Sequence, residues 1–206
     1  SYQPEAYQKP GCPIIVDLNG DGLITVEDVD MKNVIPSLYW GFGNTFTYKN
    51  WDLDVFIYSQ LGVDKYNDVY SWTSGRGLGN QTNNMSVYIK DVWHSELNPN
   101  GTIPGIAYEM ASVSLPGGAG TDIGYENSSF VRVRNITLGY NFKPNQLGAL
   151  SKLLSGIRVY VDVQNPFTFT GYTGLDPEVN TGGNYKGGKA EYPQTRTFSL
   201  GAKLSF

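Results

Sequence analysis

The sequence has little cysteine, little charge and no long apolar run, and each absence excludes a class of protein. Its one cysteine, Cys12, excludes an internal disulfide and with it the small disulfide-stapled scaffolds. Charged residues make up only 17% of the 206, with a net charge of −4, so no basic stripe is available for nucleic acid. No apolar run approaches the roughly 20 residues of a membrane helix. A membrane β-barrel is not excluded, because its apolar residues alternate with polar ones.

Signatures of catalysis are missing as well. His94 is the only histidine, and it lies in KDVWHSE, which we expect to be a short helix with the imidazole at the surface. The chain has no Gly-x-Ser-x-Gly elbow, no phosphate-cradling loop and no Cys or His metal cluster. We therefore expect no enzymatic activity. No signal peptide opens the chain, so we expect Ser1 to be a cut end.

Aromatic residues and glycine are abundant instead. Tyr, Phe and Trp make up 14% of the chain and there are 25 glycines, which is typical of β structure with many loops. Five segments alternate apolar and polar residues with the two-residue period of a strand. They are SLYWGFGNTFTY from residue 37, WDLDVFIYSQ from 51, FVRVRNITLGYNF from 130, IRVYVDVQN from 157 and RTFSLGAKLSF from 196.

The lengths of these segments and of their connections favour a membrane barrel. Strands of roughly 9–12 residues exceed most globular strands and match a tilted bilayer crossing. The connections alternate: a turn at Lys49–Asn50, a loop over 62–128, a turn over 143–155 with one helical turn, and a loop over 166–194. Short turns on one side and long loops on the other are typical of outer-membrane barrels. The alternative is a soluble β-sandwich whose strands have the same alternation.

The two faces of the predicted strands differ in a way that suits a barrel wall. The polar face carries charges that would be costly against lipid but suit a wet or plugged lumen: Asp52, Asp54, Arg158, Asp162 and Lys203. Tyr48, Trp51 and Phe142 cluster at the short-turn ends, where an interfacial aromatic girdle is expected. The alternation slips upstream of Asn135, which predicts either a β-bulge there or a strand end that lies outside the constrained zone.

The last segment resembles the C-terminal signal that outer-membrane proteins present to the barrel-assembly machinery. Its elements are a polar residue, a glycine two positions on, a hydrophobic residue and a terminal aromatic, here Ser199, Gly201, Leu204 and Phe206. A strand edge with unpaired backbone groups is a natural template for another strand. We therefore expect the assembly machinery to be a partner.

An acidic loop, DLNGDGLITVED, has the ligand spacing of an EF-hand, in a version close to that of dockerins. Oxygen ligands fall at positions 1, 3, 5, 7 and 12, and Gly22 lies at the sharp turn of position 6. The ligands predicted for calcium are Asp17, Asn19, Asp21, the carbonyl of Leu23 and Asp28, with Thr25 acting through water. The alternative is a solvated acidic turn.

Four stretches in order resemble the SusC/RagA family of TonB-dependent outer-membrane transporters. They are DLNGDGLITVED with the hairpin YWGFGNTFTYKNWDLDVFIYSQLG, then ENSSFVRVRNITLGYNF, then IRVYVDVQNPFTFTGYTGLDPEVN, and finally YPQTRTFSLGAKLSF. The resemblance is to the C-terminal part of such a protein. It implies an all-β fold, with about five antiparallel transmembrane strands of a plugged barrel of about 22 strands and long extracellular loops. Residues 1–36 would form an extracellular segment with the calcium loop, and residues 37–206 the C-terminal barrel strands and loops.

The resemblance also implies a function and a set of partners. The function would be import of oligosaccharides or peptides across the outer membrane of a Gram-negative bacterium, with a SusD-like lipoprotein as lid. The partners would be the rest of the barrel and its plug, TonB through the missing N-terminal part, and outer-membrane lipid, with no nucleic acid. The alternative is a secreted, calcium-dependent, dockerin-like binding module. Dockerins, however, carry two such loops in a short helical domain, whereas this chain has one loop and five long strands.

Loop aromatics are the candidates for contacts with a substrate. They are expected either to stack on sugars, to pack the loops or to meet the lid: Tyr66, Tyr70, Trp72, Trp93, Tyr108, Tyr172 and Tyr185. No sequence feature chooses among these roles.

Overall fold

A computed structural model describes residues 3, 7–67, 70, 84–105, 122–179 and 192–206. The chain divides into two compact units, each assembled from separate stretches. One unit holds the predicted calcium loop and residues 84–105, and the other holds the long strands. Within the ranges given above, no helix is long and apolar enough to cross a membrane.

Five long strands form one antiparallel sheet. They are β1 (Leu38–Tyr48), β2 (Trp51–Leu61), β5 (Phe130–Phe142), β6 (Gly156–Thr170) and β7 (Thr197–Ser205). Two short strands between β2 and β5, β3 (Asp64–Tyr66) and β4 (Tyr125–Asn127), pair with each other. The long strands pair in the order β1-β2-β5-β6-β7. The predicted all-β antiparallel architecture is confirmed.

In two adjacent rows, the register places side chains of the same kind opposite one another on all five long strands. One row of cross-strand partners is apolar throughout and runs Phe46, Leu53, Leu138, Val161, Leu200. The next row is polar throughout and runs Thr45, Asp54, Thr137, Asp162, Ser199. Because successive side chains point to opposite faces, one face of the sheet is apolar and the other polar. Many of the apolar side chains are exposed, including Phe46, Leu138 and Leu200.

The predicted bulge is present, and Arg134 is its extra residue. Val133 pairs with Ile57 and Phe167, whereas Asn135 pairs with Phe56 and Gln164. The additional residue on β5 shifts the alternation by one position, so Val133 and the later Ile136 both stay on the apolar face.

β6 runs further than the sequence predicts. The loop expected from residue 166 begins only after Thr170. Pro166 has no N–H, and Asn165 has a φ of +49°, but both lie opposite the bulge on β5. Proline is tolerated in a strand at such a point, because no ladder hydrogen bond is required of it.

The short connections lie where the sequence predicts them, but the second differs from the prediction in its local structure. The turn at Lys49 and Asn50 is two residues long, with a φ of +56° at Lys49. The β5–β6 connection holds two 3-10 stretches, Pro144–Gln146 and Gly148–Lys152, where one helical turn was predicted. After β7, Phe206 is exposed, and its part in assembly remains a prediction.

In the unit that holds residues 84–105, backbone hydrogen bonds join separate loops. Trp93 N–H donates to the carbonyl of Ile103, and Gly105 N–H donates to that of Gly11, both at 2.8 Å. Gly11 has a φ of +87°, and a Cβ there would lie 2.7 Å from the Trp93 ring, so both the backbone and the contact require glycine.

The helix predicted over KDVWHSE is wrong in extent. A 3-10 turn covers Val87–Asp91, and a tight turn follows it. In that turn Nδ1 of the exposed His94 accepts hydrogen bonds from the N–H groups of Glu96 and Leu97, at 3.2 and 3.1 Å. The backbone groups that a longer helix would use are satisfied by the imidazole instead.

Candidate functional site

The polar face of the sheet gathers the charged residues that the sequence predicted. Asp54 and Asp162 lie in one cross-strand row, and Lys203 lies opposite Arg158. The hydroxyl of Thr137 donates to Asp162 at 2.6 Å, and the hydroxyl of Thr45 donates to Asp54. These carboxylates thus accept hydrogen bonds from neighbouring strands and link the strands of the sheet to one another.

An ion pair on this face spans three strands. Asp52 lies on β2 and Arg158 on β6, with β5 between them. Arg158 Nε lies 3.2 Å from each carboxylate oxygen of Asp52, and its Nη2 also donates to that carboxylate. The strand they cross has Gly139 at that point, where a Cβ would lie 2.6 Å from Asp52 Oδ2 and 2.7 Å from Arg158 Nη2. Glycine at 139 leaves the space in which the two side chains meet.

We expect Gly139→Ala to break this ion pair and to lower the stability of the full-length barrel by about 1–3 kcal/mol, the usual cost of overpacking. The measurement is the temperature at which the folded barrel loses its fast-migrating form in detergent electrophoresis. Gly43→Ala is the matched control, because a Cβ there meets the Phe56 ring at an ordinary 3.6 Å. Equal transition temperatures for the two variants would show that the space above Gly139 is not needed.

A second charged cluster, which we call the arginine clasp, consists of Arg132, Arg134, Asp176 and Glu178. Arg132 is 2% exposed, and its two Nη atoms reach Asp176 Oδ1 at 2.8 Å and Glu178 Oε2 at 2.6 Å. Arg134, the bulge residue, donates to the other oxygen of Glu178. Two buried or half-buried cations thus meet two carboxylates, so the cluster is neutral.

The electrostatics of the clasp keep Asp176 ionised. Burial alone would raise the pKa of Asp176, but hydrogen bonds outweigh it and hold the pKa below its ordinary value. The donors are the N–H of Glu178 at 2.8 Å, the Arg132 guanidinium and the N–H of Gln194 at 2.9 Å. The clasp therefore fixes the segment after β6 to the polar face of β5.

Sequence reasoning missed the clasp. The shift in the apolar–polar alternation of β5 located the bulge. Nothing nearby in the sequence indicated that Arg132 pairs with Asp176 and Glu178, which lie 44 and 46 positions further along the chain. The available signal was two arginines in one membrane-length strand, since buried cations require carboxylate partners.

The aromatic cluster expected at the short-turn ends, here called the girdle, is present and also includes Tyr140, and its place at a membrane interface remains a prediction. Tyr48 pairs with Trp51, as the turn requires. Trp51 packs against Tyr140 with ring centroids 4.8 Å apart, and Tyr140 packs against Phe142 at 4.7 Å. The edge-to-face geometry of both pairs is the favourable one for aromatic rings.

The acidic loop folds around its own carboxylates. Asp17 accepts hydrogen bonds from the N–H groups of Gly20 and Gly22, at 2.7 and 2.8 Å. Both glycines have positive φ, +79° and +88°, which the tight turn requires. Asp28 folds back and accepts from Leu18 N–H at 2.8 Å and Thr25 N–H at 2.7 Å. The first and twelfth positions of the loop are thereby brought to the same end.

The remaining predicted ligands lie in the same loop. Asn19 and Asp21 are linked by two hydrogen bonds, and Leu23 N–H donates to Asp21 Oδ1 at 2.8 Å. The Thr25 N–H, with smaller contributions from Leu18 and Asn19, holds the pKa of Asp28 below its ordinary value, so the twelfth position is anionic. In the described part of the chain, no group of three or more His, Cys, Asp or Glu side chains converges to hold a metal ion. Calcium binding remains a prediction.

The loop aromatics that the structure describes pack against other parts of the protein. Tyr66 packs on Tyr125 at 5.1 Å between centroids, and Tyr70 packs on Tyr88 at 5.4 Å. The Tyr172 ring lies against Gly174, and the Trp93 ring against Gly11. Trp72, Tyr108 and Tyr185 lie outside the described residues. The packing role is therefore present for four of the predicted aromatics, Tyr66, Tyr70, Trp93 and Tyr172. Contact with a substrate remains a prediction.

Comparison with known proteins finds relatives over nearly the whole chain. It is 33% identical over 208 residues to "TonB-dependent receptor SusC" of Bacteroides thetaiotaomicron, covering 98% of this chain and 19% of that protein. It is 31% identical over 206 residues to "TonB-dependent receptor P3" of Formosa agariphila, covering 96% of this chain and 19% of that protein. No protein-family model matches.

Solved structures give the same result. The RagAB peptide importer in its closed-closed state matches 85% of this chain and 18% of the solved chain, with a TM-score of 0.66 and 27% identity. Another RagAB peptide transporter structure matches 90% of this chain with a TM-score of 0.69, and at 23% identity it shows the fold alone. The chain therefore spans about a fifth of the length of the curated relatives it matches. These relatives are receptors and importers, and they give the dockerin-like alternative no support.

Proposed function

The chain belongs to the SusC/RagA family of TonB-dependent receptors, which places it among outer-membrane proteins, and from this premise we propose that it forms part of the wall of a nutrient importer. The observation that carries the proposal is the register of the sheet. An apolar row and the adjacent polar row each run unbroken across five antiparallel strands, four of them 11 residues or longer. Such a sheet suits a wall with lipid on one face and a polar lumen on the other.

The wall assignment is tested by placing one charge on each face. Leu138→Arg puts a cation in the middle of the apolar row, where it costs about 2–4 kcal/mol against lipid. Ser199→Arg, in the adjacent polar row, is the control and faces the lumen. We expect outer-membrane levels of the full-length transporter to fall only for Leu138→Arg. Equal levels for the two variants would show that the apolar row does not face lipid, and the wall assignment would be wrong.

For the substrate and partners, we propose import of oligosaccharides or peptides with a SusD-like lipoprotein lid, energised through TonB. The support is relatives named SusC and solved structures of a peptide importer, RagAB, with which the chain shares its sheet. The test is uptake of fluorescent peptides and oligosaccharides by cells that carry the full-length transporter, with and without TonB. Uptake that persists without TonB would contradict the proposal.

We also propose that the acidic loop binds calcium through Asp17, Asn19, Asp21, the carbonyl of Leu23 and Asp28. The proposal is supported by the positive-φ glycines at positions 4 and 6 and by the closure of the loop through Asp28. Hard oxygen ligands of this kind suit Ca²⁺. Bound calcium would compete with backbone N–H groups for these carboxylates.

Asp21→Ala is expected to abolish one calcium site in the full-length protein. Isothermal titration calorimetry compares the variant with the parent and with Asp30→Ala, an acidic residue just outside the loop that pairs with Lys32 at 2.9 Å. The Asp30 variant should bind as the parent does. Equal binding by all three proteins, or by none, would show that these ligands are wrongly assigned.

A further inference from the structure

The two short turns carry positive charge without negative charge. The exposed lysines Lys49, Lys143 and Lys152 define what we call the basic rim. Residues 48–51 and 143–155 contain no Asp or Glu, and Asp52, the next acidic residue after the first turn, is held by Arg158 on the polar face. Lys49 Nζ lies 5.2 Å from the centroid of the Tyr48 ring, which places this cation beside the girdle. The rim therefore places lysines, with no acidic side chain in either turn, next to aromatic rings.

The longer turn adds an apolar stripe to the rim. Leu147, Leu150 and Leu153 are three residues apart along a 3-10 segment, and side chains at this spacing eclipse one another. Leu150 is 54% exposed and Leu153 is 68% exposed, whereas the adjacent Leu154 is buried and anchors the turn. Leu147 is half-buried, so Leu150 and Leu153 are the part of the stripe that is presented outward.

Hydrogen bonds direct this turn to the apolar side of the sheet. Tyr140 lies on the apolar face, packed on Trp51 and Phe142. Gln146 Nε2 donates to the Tyr140 hydroxyl at 3.1 Å, and Asn50 Nδ2 donates to Gln146 Oε1 at 2.8 Å. The two turns are therefore tied together over the girdle, and the leucine stripe begins at the next residue.

We infer that the basic rim is a binding surface for anionic phospholipid headgroups. Lysine ammonium groups would meet the lipid phosphate, while the leucine stripe and the girdle enter the acyl boundary, where apolar and aromatic side chains are favoured. The inference rests on the proposed function, because it requires the apolar face to lie in a bilayer. In an outer membrane, the surface at the short turns is the periplasmic leaflet.

The test uses the full-length transporter reconstituted in phosphatidylcholine vesicles that contain brominated phosphatidylglycerol. Quenching of tryptophan fluorescence, compared with brominated phosphatidylcholine, gives the preference for the anionic lipid. We expect the parent to prefer phosphatidylglycerol, with each rim lysine contributing up to about fivefold. Changing Lys49, Lys143 and Lys152 together to Gln should reduce the preference to near one. The same three positions changed to Arg should retain it.

Lys203→Gln is the matched control, because it removes one charge near the same end of the sheet but from the polar face. It should leave the preference unchanged. A parent without preference, or a triple Gln variant that keeps it, would overturn the inference and leave a soluble protein as the occupant of the rim. A transporter that fails to insert into vesicles at all would contradict the proposed wall function instead.

Discussion

Replacing Arg132 with methionine is expected to release the segment after β6 from the sheet. Among single substitutions on the polar face, we expect it to cause the largest loss of local stability. Arg132 is the one clasp residue that reaches both carboxylates, and it is almost fully buried. Removing one partner of a buried ion pair leaves uncompensated charge and costs about 3–5 kcal/mol. Methionine fills much of the space that the arginine side chain occupies. The loss of stability should therefore come mainly from the missing charge and less from the missing volume.

Hydrogen exchange of residues 171–179 in the full-length transporter measures this release. Arg132→Met should raise exchange there far more than Arg134→Met, because Arg134 is partly exposed and pairs with only one of the two carboxylates, that of Glu178. Adding Asp176→Asn and Glu178→Gln to Arg132→Met should restore part of the protection, since the buried carboxylates are then neutral. Unchanged exchange in Arg132→Met would mean that the segment is held by other contacts.

The clasp shows where prediction from the sequence stops. The alternation of WDLDVFIYSQ and its neighbours predicted the strands and both faces, because period and burial are local properties. The slip in FVRVRNITLGYNF likewise predicted a bulge. The partners of Arg132 and the ion pair above Gly139 depend on which strands become neighbours, and Gly139 becomes meaningful only once β2 and β6 flank β5.

The departures from prediction have equally specific causes. Pro166 suggested the end of a strand, yet the bulge on β5 removed the requirement for its N–H and the strand continued. The helical pattern around His94 was interrupted by a side chain that accepts two backbone hydrogen bonds. At Pro166 no backbone hydrogen bond was required, and at His94 the backbone N–H groups found an alternative partner.

Expressed alone without detergent, the 206-residue chain is expected to aggregate. The apolar face has no cover within the described sheet, and exposures of 57% at Phe46 and 78% at Leu200 mark the open ends of its central row. Fully burying one such side chain is worth about 1.5–3 kcal/mol, so the four exposed residues of that row, Phe46, Leu138, Val161 and Leu200, together forgo roughly 3–7 kcal/mol in water. That is a large part of the whole stability of an ordinary domain, about 5–15 kcal/mol.

The edges of the sheet also favour aggregation of the isolated chain. β1 and β7 each have a paired strand on one side only, so each offers unpaired backbone groups to another chain. Size-exclusion chromatography with light scattering should find large assemblies in buffer and smaller, strand-rich species above the critical micelle concentration of a mild detergent. The detergent arm is the control, because it covers the apolar face without changing the sequence. A monomer in plain buffer with a cooperative thermal transition would show that these rows are covered by the chain itself, and the wall assignment would then be wrong.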